Sequence, residues 1–102
     1  MSIGTTAMKQ AICGLIGRRL RMRRRLLELT QKEVGARCGL TFQQIQKYEA
    51  GLVDLTVARV VKLAEALQMP LSELFAGLQT WGDDAHRTLP AFVVREARSI
   101  TG

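Results

Sequence analysis

Reactive chemistry in this sequence is concentrated in arginine. Arg18, Arg19, Arg21, Arg23, Arg24 and Arg25 fall within one eight-residue stretch. With Lys9 and Glu28 they give residues 1–29 a net charge of +6, equal to that of the whole chain. A localised basic block predicts a polyanionic partner, either nucleic acid or an anionic membrane surface. The same run also fits a solvated helix face, so position must decide. Other reactive groups are sparse. Cys13 and Cys38 form neither a CxxC pair nor a disulfide framework, and they suit a reducing compartment. His86 has no metal-ligand company, and Trp81, Asp83 and Asp84 beside it read as linker rather than as a metal site. With no nucleophile–base or metal constellation, no catalytic residue is assigned, no cofactor is expected, and enzyme chemistry is set aside.

A chain of 102 residues accommodates one domain around one core. Its 47% apolar and 24% charged content predicts a soluble folded protein rather than a disordered one. No apolar run approaches the ~18 residues a bilayer requires. The lone Lys9, followed by a short apolar stretch broken by Gly14 and Gly17 and then by Arg18, is not a signal-peptide pattern. A cytoplasmic location and no membrane partner are therefore expected.

The elements that must position any site are helices. Ile12, Leu15, Ile16, Leu20, Arg23, Leu26 and Leu27 recur at spacings of three and four, predicting an amphipathic helix over 11–29 with a basic outer face. Gly14 and Gly17 each cost a helix about 1 kcal/mol relative to Ala. They move the expected start toward residue 17 and leave 1–10 as a flexible arm. Thr30 and Glu33 form a capping box, with Val34 and Cys38 inward and Gly39 closing the helix. Thr41 and Gln44 repeat the box, with Ile45 and Tyr48 inward and Gly51 as the stop. Two capped helices of about eight residues joined through a glycine predict a helix-turn-helix, and neither would be stable alone. Thr56 caps a run of Val57, Val60, Val61, Ala64 and Leu67. Pro70 opens a last short helix with Leu71, Leu74 and Phe75, closed by Gly77. Five helices thus fill 11–77. Residues 78–102 form a linker and tail, in which Ala91, Phe92, Val93, Val94, Ala97 and Ile100 predict a short helix, with a strand as the alternative. Such apolar residues beyond a complete domain are a candidate partner or dimerisation surface.

On a wheel of 100° per residue, Phe42, Gln43, Gln46, Lys47 and Ala50 share one arc of about 140°. Gln44, Ile45 and Tyr48 lie opposite. The polar arc is exposed by geometry alone, whatever it faces.

The stretch Gln31 to Ala50, QKEVGARCGLTFQQIQKYEA, resembles the helix-turn-helix of the phage repressor and Cro-type family, the XRE-like bacterial transcriptional regulators. Val34, Cys38, Leu40, Ile45 and Tyr48 occupy its apolar places, Gly35 its small place and Gly39 its glycine. The flanks GRRLRMRRRLLELTQ and VVKLAEALQMPLSELF fit as well, so the resemblance covers about residues 17–77. Glu28 and Gln68 depart from it, standing where glycine commonly closes the first and fourth helices, at about 1 kcal/mol each if the backbone is left-handed there. Pro70 replaces the usual hydroxyl cap, and the loop Leu52 to Leu55 lacks the basic or Asn residues often seen there.

The resemblance implies an all-α, compact five-helix repressor-like DNA-binding domain with its helix-turn-helix at helices 2 and 3, plus a short C-terminal tail. It implies a sequence-specific double-stranded DNA-binding transcriptional regulator, bacterial or phage-encoded, a repressor rather than an activator, and a homodimer. An antitoxin-like protein-interaction partner that binds DNA for its own autoregulation is the alternative. In the implied docking, helix 3 enters the major groove and helix 2 lies across the backbone. Gln43 then reads adenine through its amide, Lys47 reaches guanine or a phosphate, Gln46 is a further reader, and Phe42 meets a thymine methyl or packs on neighbouring protein surface. Gln31, at a helix N-terminus, resembles the family's phosphate-binding glutamine. Thr41 and Gln44 are phosphate candidates, Gln44 being first a capping residue. Arg19 and Arg23 are phosphate candidates by proximity. Arg24 and Glu49 match a family pair expected to be structural, fixing helix 1 against helix 3.

Overall fold

Five helices follow one another in the computed structural model, which describes residues 2–78: α1 (Ser2–Leu26), α2 (Gln31–Cys38), α3 (Phe42–Glu49), α4 (Val57–Ala66) and α5 (Leu71–Leu74). No strand occurs among the described residues. The expected tail element and Trp81, Asp83, Asp84 and His86 lie outside them.

The turns follow local chemistry. Thr30 Oγ1 accepts from the Glu33 N–H at 3.0 Å, and Glu33 Oε1 accepts from the Thr30 N–H at 2.9 Å. The second box has the same form at 3.2 and 3.0 Å between Thr41 and Gln44. Between the two helices, Gly39 adopts φ 71°, the left-handed conformation that a side chain would strain. Ile16, Leu20, Val34, Cys38, Ile45, Val60, Leu63, Ala64, Leu67 and Leu74 make one buried core drawn from all five helices. This shared burial is what holds two eight-residue helices that could not persist by themselves.

Helix α1 departs most from expectation. It begins at Ser2, so residues 2–10 are helical where an arm was expected, and Gly14 and Gly17 lie inside the helix. Gly17 explains why the propensity cost is tolerated. A Cβ there would lie 2.7 Å from the Glu49 carbonyl oxygen, so only glycine lets the α1 backbone rest on the end of α3. Close packing at that point offsets the weaker helix, and in the added turns Lys9 lies 2.8 Å from Asp54 of the loop after α3. At its other end α1 stops earlier than 29. Leu26, expected inward, is 71% exposed, because on the helix it lies about 100° from the line of Ile16 and Leu20, while Leu27 falls on that line and Leu29 turns in against the core.

Both glycine substitutions anticipated as costly fall where the backbone is left-handed, Glu28 at φ 59° and Gln68 at φ 52°. Arginines serve both ends. Arg24 Nη1 donates to the Leu29 carbonyl at 2.9 Å. Arg23 donates to the Leu67 and Gln68 carbonyls at 3.0 and 2.8 Å, and Arg37 to Ala66 at 2.9 Å. Cations at these positions satisfy carbonyls that no intrahelical N–H reaches and oppose the negative end of the α4 dipole.

Candidate nucleic-acid interface

Helix α3 is held from three directions. Ile45 is buried beneath it. Its first turn is fixed by the Thr41–Gln44 box. Its last turn carries Glu49, 7% exposed and the single buried charged residue described. Arg24 reaches Glu49 with two parallel donors, Nε to Oε2 at 2.6 Å and Nη2 to Oε1 at 3.0 Å. Gln31 Nε2 adds a third donor to Oε1 at 3.1 Å. One carboxylate therefore joins the last turn of α3 to α1 and to the N-terminus of α2. A bidentate pair in this setting fixes direction as well as distance. Tyr48, half-buried on the same turn, accepts from Arg59 of α4 through its hydroxyl at 2.8 Å.

What this framework presents outward is the arc read from the wheel. Phe42, Gln43, Gln46 and Lys47 are all exposed, and no hydrogen bond or ion pair engages the three polar side chains among the described residues. The arc brings two amides, an ammonium and an aromatic edge onto one side of two helical turns. Amides and ammonium are the donor and acceptor types that base edges require. The first N–H groups of α2, at Gln31 and Lys32, lack intrahelical acceptors and give a cationic dipole end on the adjoining helix.

The other candidates divide. Gln31 is half-buried, and one N–H of its amide is donated to Glu49, leaving the second amide N–H, the carbonyl oxygen and the backbone N–H. Thr41 and Gln44 are exposed and occupied by each other; Gln44 Oε1 accepts from Thr41 N–H and, at 3.3 Å, from its hydroxyl. Gln44 Nε2 remains open. Arg19 and Arg23 are not with this group. Arg19 Nη1 donates to the Leu74 carbonyl at 2.8 Å and Arg23 closes the end of α4, so both guanidiniums face α4 and α5. Both are phosphate candidates by proximity in the sequence, but carbonyls 44 to 55 residues away hold them against α4 and α5. Arg18, Arg21 and Arg25 are the exposed members of the block, without a partner among the described residues.

Three contacts of the site escaped the sequence reading: Gln31 with Glu49, Arg59 with Tyr48, and Lys9 with Asp54. Each joins residues at least eleven apart through polar tips, and no local spacing announces such a meeting. Cys38, at a core place of α2, is buried with its thiol on the Lys62 carbonyl at 3.8 Å, and burial pushes that thiol above its usual range. Among the described residues no group of three His, Cys, Asp or Glu side chains could hold a metal, and no helix is long and apolar enough to cross a membrane.

Two short helices joined by a glycine turn, the second clamped at its far end and bare along its outer side, define a helix-turn-helix unit. The profile of the helix-turn-helix family matches residues 20–74, more than half of the sequence, and the chain belongs to that family. The match agrees with the resemblance read from Gln31 to Ala50. Among curated proteins, the chain is 41% identical over 71 residues to an uncharacterized transcriptional regulator in the ATPase CF(0) region of Rhodospirillum rubrum, covering 70% of this chain and 65% of that protein. It is 40% identical over 60 residues to an uncharacterized HTH-type transcriptional regulator of Sinorhizobium medicae, covering 59% and 43%. A Rickettsia conorii protein of the same description is 33% identical over 70 residues, covering 69% and 56%. The chain thus spans less than two thirds of the length of each of these relatives. No solved structure matched.

Proposed function

We propose that the chain is a sequence-specific, double-stranded-DNA-binding transcriptional regulator that lays α3 in the major groove. The observation that carries this reading is the exposed arc of Phe42, Gln43, Gln46 and Lys47 on a helix whose buried side and both ends are fixed. Readers held rigidly lose little freedom on binding. Gln43 pairs with adenine N6 and N7, Lys47 with guanine or a phosphate, Gln46 with a neighbouring base, and Phe42 with a thymine methyl. The α2 amides at Gln31 and Lys32 and the free Gln44 amide nitrogen position the unit on phosphates, while the Thr41 hydroxyl is committed to Gln44. Arg18, Arg21 and Arg25 supply general attraction to the backbone. Arg19 and Arg23 are left out, because their donors already close α4 and α5.

One such unit reads a short half-site. Two copies related by a two-fold axis would read inverted half-sites about 34 Å apart, one helical turn of DNA. A dimer seated on a promoter excludes polymerase, which favours repression. The relatives' description as transcriptional regulators supports the same role. The test is selection of bound duplexes from a random pool by the full chain, followed by titration of the enriched sequence. Gln43→Ala should weaken the enriched site by about 1–3 kcal/mol and relax preference at one base position. Unchanged affinity and selectivity for both Gln43→Ala and Lys47→Ala would sink the docking.

A further inference from the structure

The loop after α3 has an odd electrostatic character for the edge of an interface with a polyanion. Between Ala50 and Thr56 its one charged residue is Asp54. The loop leaves directly from the reading helix: the Leu52 N–H donates to the Lys47 carbonyl at 3.0 Å, and Leu52, Val53 and Asp54 are exposed beyond the exposed Lys47 and Ala50. A bare carboxylate at this edge would repel phosphates.

The first half of α1 lies over this loop. Backbones meet at Gly14 and Gly51, where a Cβ on Gly51 would come 2.8 Å from the Gly14 Cα. A cavity of about 400 Å³ is lined from both sides by Lys9, Cys13, Leu52, Val53 and Asp54, among others. At its rim Lys9 Nζ sits 2.8 Å from Asp54 Oδ2, with the two side chains 57% and 67% exposed. So exposed a pair adds little to folding. Asp54 raises the Lys9 pKa, through its hydrogen bond first and its charge second.

We propose that Lys9 is a positioning residue for DNA binding, which acts by neutralising Asp54 at the margin of the reading face. The inference rests on the docking of α3 proposed above. It gives the N-terminal half of α1 control over affinity without contact to a base. A unit charge about 8 Å from a phosphate, in a water-like dielectric, shifts affinity by about two- to threefold per domain, and salt screens the effect.

The experiment titrates the full chain against its enriched duplex and a scrambled duplex, at low and at high salt. Lys9→Ala should weaken both duplexes by about two- to threefold per domain at low salt. Asp54→Asn should tighten both, and the double variant should return to wild-type affinity. Lys9→Arg should restore binding, and all effects should shrink at high salt. Helix content and melting temperature should stay unchanged throughout. The proposal is overturned if Asp54→Asn fails to tighten binding. It is equally overturned if the double variant stays as weak as Lys9→Ala, which would make Lys9 a direct phosphate contact. Gln43→Ala in the same series separates the two ideas. If it loses selectivity while the Lys9 and Asp54 variants bind as wild type, the α3 docking stands and this inference alone fails; if Gln43→Ala and Lys47→Ala both bind as wild type, the docking itself has failed.

Discussion

Replacing Arg24 with Met should cost this domain a large part of its stability. The substitution keeps the aliphatic stem and removes the guanidinium, so packing along α1 is nearly preserved. What it leaves behind is Glu49, with a side chain only 5% exposed, deprived of two donors at 2.6 and 3.0 Å and retaining only Gln31 at 3.1 Å. Arg24 itself is 12% exposed, so solvent screening reduces the effect little. Stranding a buried charge in this way costs about 3–5 kcal/mol. At about 0.05–0.15 kcal/mol per residue, the 77 described residues carry about 4–12 kcal/mol in total. The variant should therefore lose at least about a quarter of the stability of the domain, and nearly all of it if the total lies at the low end of that range. Urea denaturation followed by helix ellipticity measures the loss, provided that the slope with urea is unchanged. Arg24→Met combined with Glu49→Leu should regain most of it, because two apolar groups carry no stranded charge. A loss under about 1 kcal/mol for Arg24→Met, or a double variant no better than the single one, would show that the pair behaves as a solvated contact and refute its role as anchor of α3.

Three smaller outcomes follow from other parts of the molecule. Gln68→Gly relieves a left-handed φ of 52° and should raise stability by about 0.5–1 kcal/mol in the same urea assay, with Arg23 still able to bond the Gln68 carbonyl because it bonds backbone. Alkylation of the native protein near neutral pH should modify Cys13 and spare Cys38, whose raised pKa and burial deny both thiolate and access; mass spectrometry would expose the error if Cys38 reacted as fast as a free thiol. Glu33 has its pKa lowered by the Thr30 backbone N–H, so its contribution is fully present above the ordinary value of 4.5 and is lost as pH falls through the lower folded value. Glu33→Gln should flatten that acid limb of a stability-against-pH curve, and an unaltered limb would count against the box.

Local signals carried most of the architecture. Thr30 with Glu33 and Thr41 with Gln44 are three apart, Gly39 follows at once, and the period of Val34, Cys38 and Ile45 marks the core side; all of this lies within a turn or two of chain. The arc from Phe42 to Lys47 is legible for the same reason. The start of α1 was not, because helix propensity prices Gly17 as a loss and cannot see the Glu49 carbonyl that rewards it. Leu26 shows the weakness of reading by spacing alone, since three residues after Arg23 it falls about 100° from the line of Ile16, Leu20 and Leu27. Arg19, Arg23 and Arg37 look like surface cations beside their neighbours. Their acceptors, Leu74, Leu67, Gln68 and Ala66, come from helices far along the chain, and only the assembled fold brings the carbonyl ends of α4 and α5 within reach.

That last arrangement separates field from grip. A guanidinium that donates to a backbone carbonyl keeps its full positive charge, yet it has fewer N–H groups left to clasp an approaching phosphate. Arg19 and Arg23 are in this state, while Arg24 is spent on the Glu49 carboxylate, which cancels its charge. A polyanion would be drawn in by the unpaired charges of the block at a distance and gripped by only part of them at contact. Since the salt dependence of binding counts phosphates neutralised, at about 0.9 per contact, its slope should report fewer cations than the composition of α1 offers.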